Sequence, residues 1–458
     1  MRKIFLSALL LLILNRVCSG GEGKLQPLTL SPSTDRILIL APHPDDEAIG
    51  TAGIIQKAVR ESIPLRIVYL TNGDTNEASF IVDQKRIVFR QKAVLNMGKL
   101  RGQEAVNGMR SLGVKRDQQI FLGYPDWGTE RIFQSYWLKQ KPFKALLTRV
   151  SSVPYEDAMS VGSPYMGESI LNDLKQILRD FKPTKIFVTH PLDTNQDHRA
   201  FALYMQVAVW DLKEEIQNPE IYGYLVHWRK WPLPRGYHSQ EVLRPPGNWP
   251  DKNTDWYSFD LDNNSVSQKR HAISSYKSQI GYNPKFLFTF ARKNELFASI
   301  EPADLNHLTE FNLNLDGSIV YTKNSQSIQV TLKSDSWKTR NSKTQIFLIG
   351  YKEGFPFEWM PKIRIEIADD DNRVLVFDQD KSIFIPEVKI ETKAKGKELT
   401  INFPLQGLND PDYVMTSLDV STDDLNEKGG WRLLKLTPTP LEVAHKNIRP
   451  GSKFPVQN

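Results

Sequence analysis

Two short apolar runs, Ile37-Leu38-Ile39-Leu40 and Lys185-Ile186-Phe187-Val188-Thr189, constrain this chain more than any other feature. Each has the length of a strand buried on both faces. Each runs directly into a loop dense in His and Asp, and then into a helix-forming stretch. The first loop is Ala41-Pro42-His43-Pro44-Asp45-Asp46-Glu47, followed by Ala48 to Arg60. The second runs from His190 through Asp193, Asn195 and Asp197 to His198, with helical composition through about Leu212. Open α/β sheets collect ligands in the crevice beyond such strand ends. An imidazole and three carboxylates beside a buried strand end need a counter-charge, and a divalent metal is the natural one. Two His and one carboxylate with open positions suit catalytic Zn2+, and Fe2+ fits the same donors.

The motif His43-Pro44-Asp45-Asp46-Glu47 with the downstream Asp197-His198 resembles the PIG-L/LmbE-like zinc-dependent N-deacetylases, of the N-acetylglucosaminyl deacetylase type. Further pieces carry the likeness from about Arg36 to Ala298: Thr71-Asn72-Gly73-Asp74, Arg101-Gly102-Gln103-Glu104 and Phe121-Leu122-Gly123-Tyr124-Pro125-Asp126. The resemblance implies that His43, Asp46 and His198 are metal ligands. It implies that Asp45 is the general base that activates water, and that Arg101 and Asp126 contact substrate. Asp197 is expected to orient a neighbouring imidazole. The residues also allow plainer roles. Asp45, Asp46, Glu47 and Asp197 suit the first turn of a helix, and Arg101 can pair with Glu104 one turn on. One position departs from the family. The fuller motif reads His-Pro-Asp-His, whereas Asn195 stands here where its first His would be. An amide can donate to an oxyanion but cannot deliver a proton at neutral pH. A proton donor is therefore sought among other histidines, with His227 favoured over His190. The expected substrate is an N-acetylated glycan or glycolipid.

Arg2 and Lys3 precede the apolar run Ile4 to Leu14, and Ser19-Gly20 offers a cleavage point, so residues 1–20 read as a signal peptide. Cleavage there is favoured over lipidation at Cys18, and no later stretch is apolar enough to cross a bilayer. Cys18 is the only cysteine. A cysteine-free exported chain points to a bacterial periplasm or secretion. The formal charge of +6 loses Arg2, Lys3 and Arg16 with the leader. The small remainder, without a basic stripe, argues against nucleic acid as partner.

With 458 residues, two domains are expected. Strands and helices alternate up to about Ala298: strands Leu65–Leu70, Gln119–Leu122 and Tyr222–Val226, helices Gln84–Met97, Gln103–Leu112 and Ser169–Phe181. That rhythm predicts a Rossmann-like, mostly parallel sheet with helices on both faces, over 30–302. The insertion from Trp127 to Gly167 suggests a helix over Tyr136–Leu147. After a boundary near 302–318 the pattern turns to period two, as in Ser327–Leu332, Lys362–Ile367, Val388–Glu391 and Glu398–Phe403. An all-β sandwich over 318–445 is the expectation. Trp228, Trp231, Trp249 and Trp256, amid several prolines, offer either sugar-stacking faces or packing over a sheet edge.

Overall fold

The computed structural model describes residues 25–75, 90–305, 309–312, 317–333, 343–368, 373–384, 391–395, 398–421 and 426–436. The expected leader and Val388-Lys389-Ile390 lie outside them. The first sheet holds β1 (Gln26–Pro27), β2 (Ile37–Ala41), β3 (Leu65–Thr71), β4 (Gln119–Tyr124), β5 (Lys185–Thr189), β6 (Glu220–Tyr224), β7 (Trp256–Asp260) and β8 (Asn294–Ser299). Its spatial order is β1-β7-β8-β6-β5-β2-β3-β4. The strands β4, β3, β2, β5 and β6 are mutually parallel, and β8 runs antiparallel to β6 and β7. Chain order reverses between β2 and β5, with β3 and β4 on one side and β6 on the other. The two apolar runs are thus neighbours, Leu40 pairing with Val188, and every residue in both is buried.

Helices α1 (Asp46–Arg60), α2 (Gln91–Ser111), α3 (Thr129–Ser135), α4 (Gly167–Phe181), α5 (Gln196–Asp211), α6 (Asn263–Ile273), α7 (Lys277–Ile280) and α8 (Pro284–Phe288) cover both faces. Alternate residues of β2 sort between the two layers, as a pleated strand requires. Leu38 and Leu40 pack with Leu174 of α4 and Leu203 of α5, and Ile37 and Ile39 pack with Ile54 of α1 and Val266 of α6.

Three expectations are corrected. The stretch read as two helices, Gln84–Met97 and Gln103–Leu112, is one helix from Gln91 onward, with 84–89 outside the described residues. Gly98 does not break it, because it sits where a Cβ would stand 2.2 Å from the Tyr155 hydroxyl. The helix expected over Tyr136–Leu147 is absent. The backbone N–H groups of Trp137 and Leu138 donate instead to the Asp380 carboxylate, at 2.7 and 2.8 Å. Strand β6 leaves the ladder at Tyr224 rather than Val226, because the Val226 and His227 N–H groups turn to a carboxylate described below.

The C-terminal part consists of two sheets packed face to face, antiparallel except where β9 pairs parallel with β21. One has the order β10-β11-β12-β18-β17, built from Thr309–Asn312, Ser318–Lys323, Ser327–Lys333, Glu398–Pro404 and Glu391–Lys395. The other runs β16 (Ile383–Phe384), β15 (Arg373–Asp378), β14 (Lys362–Ala368), β13 (Lys343–Tyr351), β19 (Tyr413–Ser421), β21 (Arg432–Lys435) and β9 (Ala303–Asp304), with β20 (Asn426–Lys428) beside β19. Their inner faces meet through Ile319, Val330 and Ile401 on one side and Ile346, Leu348 and Ile363 on the other. The outer face of β13 (Lys343–Tyr351) is not solvated: Phe347, Ile349 and Tyr351 join the core of α3, α4 and α5. β9 (Ala303–Asp304) follows β8 directly and pairs with β21 (Arg432–Lys435).

The sheet is tied to its helices by charge as well as packing. Glu295 on β8 accepts from Gly53 N (2.7 Å) and Ile54 N (3.1 Å) of α1 and from Lys269 Nζ (2.6 Å) of α6, with both side chains fully buried. Lys269→Met strands that carboxylate and is expected to cost about 3–5 kcal/mol. The check is the midpoint of denaturant unfolding, and an unchanged midpoint would show the pair to be idle.

Candidate metal centre and active-site cleft

The loops after β2 and β5 meet at the point where strand order reverses. His43 Nδ1, Asp46 Oδ2 and His198 Nε2 form a triangle with all three edges at 3.2 Å. Donor atoms about 2.0–2.1 Å from one tetrahedral zinc would stand roughly 3.4 Å apart, so this set fits such an ion on one open face. All three side chains are buried. Asp46 also accepts the His43 N–H at 2.9 Å, which closes the loop onto its own ligand.

Carboxylates surround the two imidazoles. His43 Nε2 lies 3.1 Å from Asp126 Oδ1 and 3.4 Å from Asp197 Oδ2. His198 Nδ1 faces Asp193 Oδ2 at 3.5 Å. Burial works to lower both imidazole pKa values, yet the carboxylates win. His43 stands well above the usual range, held up by Asp126, Asp197 and Asp46. His198 rises to about 9 through Asp46 and Asp193. Burial would raise Asp46, but His198 and His43 hold it well below the usual carboxylate range. A field that favours cations this strongly is one in which a dication can replace protons on its ligands.

Each remaining site residue has a definite place. Asp45 sits between the loop and α1 at φ 127°, ψ −28°, and its side chain makes no capping bond. Its Oδ2 lies 3.3 Å from Arg101 Nη2, and burial pushes its carboxyl up to about 8 against the pull of Arg101. Arg101 does not pair with Glu104, which accepts from Ser278 instead. It donates to Gly73 O (2.7 Å) and Pro44 O (2.9 Å), clasping the loops after β2 and β3 while lining the cleft. Asp126 follows β4 and fixes the next loop by accepting from Thr75 N at 2.7 Å. Asp197 accepts from Trp127 N (2.6 Å) and Thr129 N (3.1 Å) as well as facing His43. Asn195 is the N-cap of α5, its Oδ1 accepting from Asp197 N at 2.9 Å, so only its amide nitrogen remains for a ligand.

The two candidate histidines separate. His227 lines the cleft, its ring 4.9 Å from that of His198 and stacked on Phe286 at 5.4 Å. Burial and the nearby His198 push its pKa down to about 4. His190 is engaged by the fold: Nδ1 accepts from Leu192 N at 3.1 Å, and its ring packs edge-on against Trp249. The tryptophan cluster is packing too, with Trp228 and Trp256 each about 5 Å from Trp249.

Sequence reasoning assigned no role to Asp193. Its Oδ2 accepts from Val226 N (3.0 Å) and His227 N (2.9 Å), and its Oδ1 from Asn195 N (2.9 Å). One carboxylate therefore orients His198 and sets the backbone that carries His227. Glu47 lies in the first turn of α1, and its carboxylate also accepts from the Tyr69 and Tyr276 hydroxyls and from Asp45 N, pinning the loop in place.

The cleft over this centre has a volume of about 610 Å³. His43, Asp45, Asp126 and His227 form its floor, and Trp127, Leu146, Tyr282 and Phe286 its walls. Trp127 is 56%, Leu146 83% and Tyr282 48% exposed. Exposed aromatics around a polar floor are the ordinary form of a small-molecule site.

Fold and site together define an α/β domain whose His43, Asp46 and His198 could hold a metal ion at the sheet edge. Residues 38–209 match the model of the PIG-L family, described as GlcNAc-PI de-N-acetylase. A curated relative, a putative glucosamine-6-phosphate deaminase-like protein from Bacteroides thetaiotaomicron, is 23% identical over 235 residues, 47% of this chain. The chain spans about a third (34%) of that relative's length. Similar solved structures include N,N'-diacetylchitobiose deacetylase from Pyrococcus horikoshii, at 20% identity and TM-score 0.37 over 57% of this chain and 82% of that one. The zinc-inhibited form of teicoplanin deacetylase Orf2 gives 15% identity and TM-score 0.36 over 57% and 97%. GalB, the 4-carboxy-2-hydroxymuconate hydratase from Pseudomonas putida KT2440, gives 16% and 0.33 over 61% and 100%.

Because Asp193 aims His198, Asp193→Ala is expected to weaken zinc binding about 10–100-fold. Competition with a chromogenic chelator measures it, and wild-type affinity in the variant would remove Asp193 from the site.

Proposed function

We propose that this chain is an exported, metal-dependent amidohydrolase. It removes N-acetyl groups from N-acetylglucosamine-type sugars in an envelope glycan, an exopolysaccharide or a glycolipid. The observation that carries the reading is the triangle of His43, Asp46 and His198 donor atoms under an open cleft, with Asp45 beside it. The family description of the α/β domain supports the acetamide as the bond cleaved. The apolar run after Arg2 and Lys3 supports export.

His43, Asp46 and His198 would hold zinc, which when bound would supply Lewis acidity toward the amide carbonyl and lower the pKa of water to about 7. Asp45 takes the proton of the attacking water, its carboxylate aimed by the Arg101 guanidinium. Attack on the acetyl carbon moves negative charge to the carbonyl oxygen. His227, neutral in its buried setting, offers a ring N–H to that oxygen, and the Asn195 amide nitrogen is a second candidate donor. The C–N bond then breaks as Asp45 passes its proton to the sugar nitrogen. The products are acetate and a free amine. His227 thus serves the oxyanion, and Asp45 delivers the proton in place of the missing His.

The walls suit a pyranose. Trp127 presents a flat face at the mouth, with its backbone fixed by the bond from its N–H to Asp197. A second reading, a metal-holding glycan-binding protein without turnover, rests on Asn195 replacing the family's His. Acetate release separates the two.

Release of acetate and amine from N-acetylglucosamine oligomers is expected, abolished by chelator and restored by zinc. Asp45→Asn should keep stoichiometric zinc and lose turnover by about 10²–10⁴-fold. A variant that still turns over at the wild-type rate would sink Asp45 as base. Trp127→Ala should raise KM for oligomers several-fold with kcat little changed, since a stacked ring contributes about 1 kcal/mol. Equal KM values would mean that the substrate does not lie along this wall.

A further inference from the structure

We infer that the C-terminal sandwich is a working part of the metal centre, with Trp431 as the positioning residue through which it acts. The inference rests on the proposed metal-dependent reading of the cleft. Trp431 lies just before β21 and is 1% exposed. Its ring sits between Phe133 of α3 and Phe347 of β13, so it bridges the two domains. Its indole N–H donates to Glu130 Oε1 at 2.7 Å. Glu130 in turn receives Arg199 Nε and Nη2, both at 2.8 Å, in a buried two-bond pair.

Arg199 is the residue after His198. Its Nη1 donates to Thr194 O at 2.9 Å and Asp193 O at 3.3 Å, inside the loop whose Asp193 carboxylate faces His198. A continuous line of bonds therefore runs from the sandwich to the loop that aims a candidate ligand. Beside Glu130, Thr129 donates to Asp197, which faces His43. The same short helix thus bonds directly to the carboxylate that faces His43 and reaches the Asp193 loop through Arg199.

A second grip falls on the same loop. Trp431 N donates to Pro191 O at 2.8 Å. Gly430 lies so close to Leu192 that a Cβ there would stand 2.5 Å from the Leu192 Cα. The turn before β21 is thus pressed backbone to backbone on the segment between β5 and His198. Such closeness leaves the loop few alternative positions, and a ligand set is most effective when its support cannot shift. Trp359, also in the sandwich, is 57% exposed and takes no part in these bonds.

Trp431→Phe keeps the ring and removes the indole N–H. In the full-length chain its zinc dissociation constant, read by chelator competition without substrate, is expected to rise about tenfold. With oligomer substrate, kcat should fall while KM holds. The Co2+-substituted protein should show an altered d–d spectrum. Trp359→Ala should leave all three readouts at wild-type values. If Trp431→Phe does not fold, Glu130→Gln leaves the indole packing in place and carries the same expectation. Wild-type zinc affinity and spectrum in a folded Trp431→Phe or Glu130→Gln would overturn the inference. A wild-type chain that takes up no zinc would instead overturn the metal-dependent reading itself.

Discussion

The parallel pairing of β2 with β5 is the constraint on which the rest depends. It sets Leu40 beside Val188, so the two loops that follow open on the same edge at the same height. Only there can residues 155 positions apart, His43 and His198, approach to 3.2 Å. The neighbouring parallel strands contribute their own loops: β3 gives Gly73 and Thr75, β4 gives Asp126, and β6 leads to His227. Arg101 then ties the loop after β2 to the loop after β3. The cleft is a property of the sheet edge rather than of any one segment.

Electrostatics explains why such an assembly coheres. Asp46, Asp126, Asp193 and Asp197 are all buried around two imidazoles. Buried carboxylates are costly unless each finds donors or a cation. Backbone N–H groups satisfy much of that demand: Trp127 and Thr129 for Asp197, Val226 and His227 for Asp193, Thr75 for Asp126. The loops are therefore shaped around the acids. This is also why β6 ends early, because its next two N–H groups are taken by Asp193.

The strands and the ligand candidates were legible in the sequence because their signals are local. Apolar runs ending in Pro, His and Asp can be read within ten residues. What stayed hidden depends on contacts across the chain. Asp193, in a Pro-Leu-Asp-Thr loop, looks like any turn-forming acid until Val226 and His227 turn toward it. Glu130 and Trp431 lie 301 residues apart and carry no motif. The near-continuous apolar run in β13 was a usable clue. Gln345-Ile346-Phe347-Leu348 breaks strict alternation because that strand is covered on both faces, by its own sandwich and by α3–α5. Gly98 is explained only across the chain: a Cβ there would stand 2.2 Å from the Tyr155 hydroxyl.

The backbone at Asp45 carries a cost. With φ at 127° it occupies territory that side-chain-bearing residues enter only at about 1–3 kcal/mol, and that glycine visits freely. Glycine there would relieve the strain only by removing the carboxyl that faces Arg101.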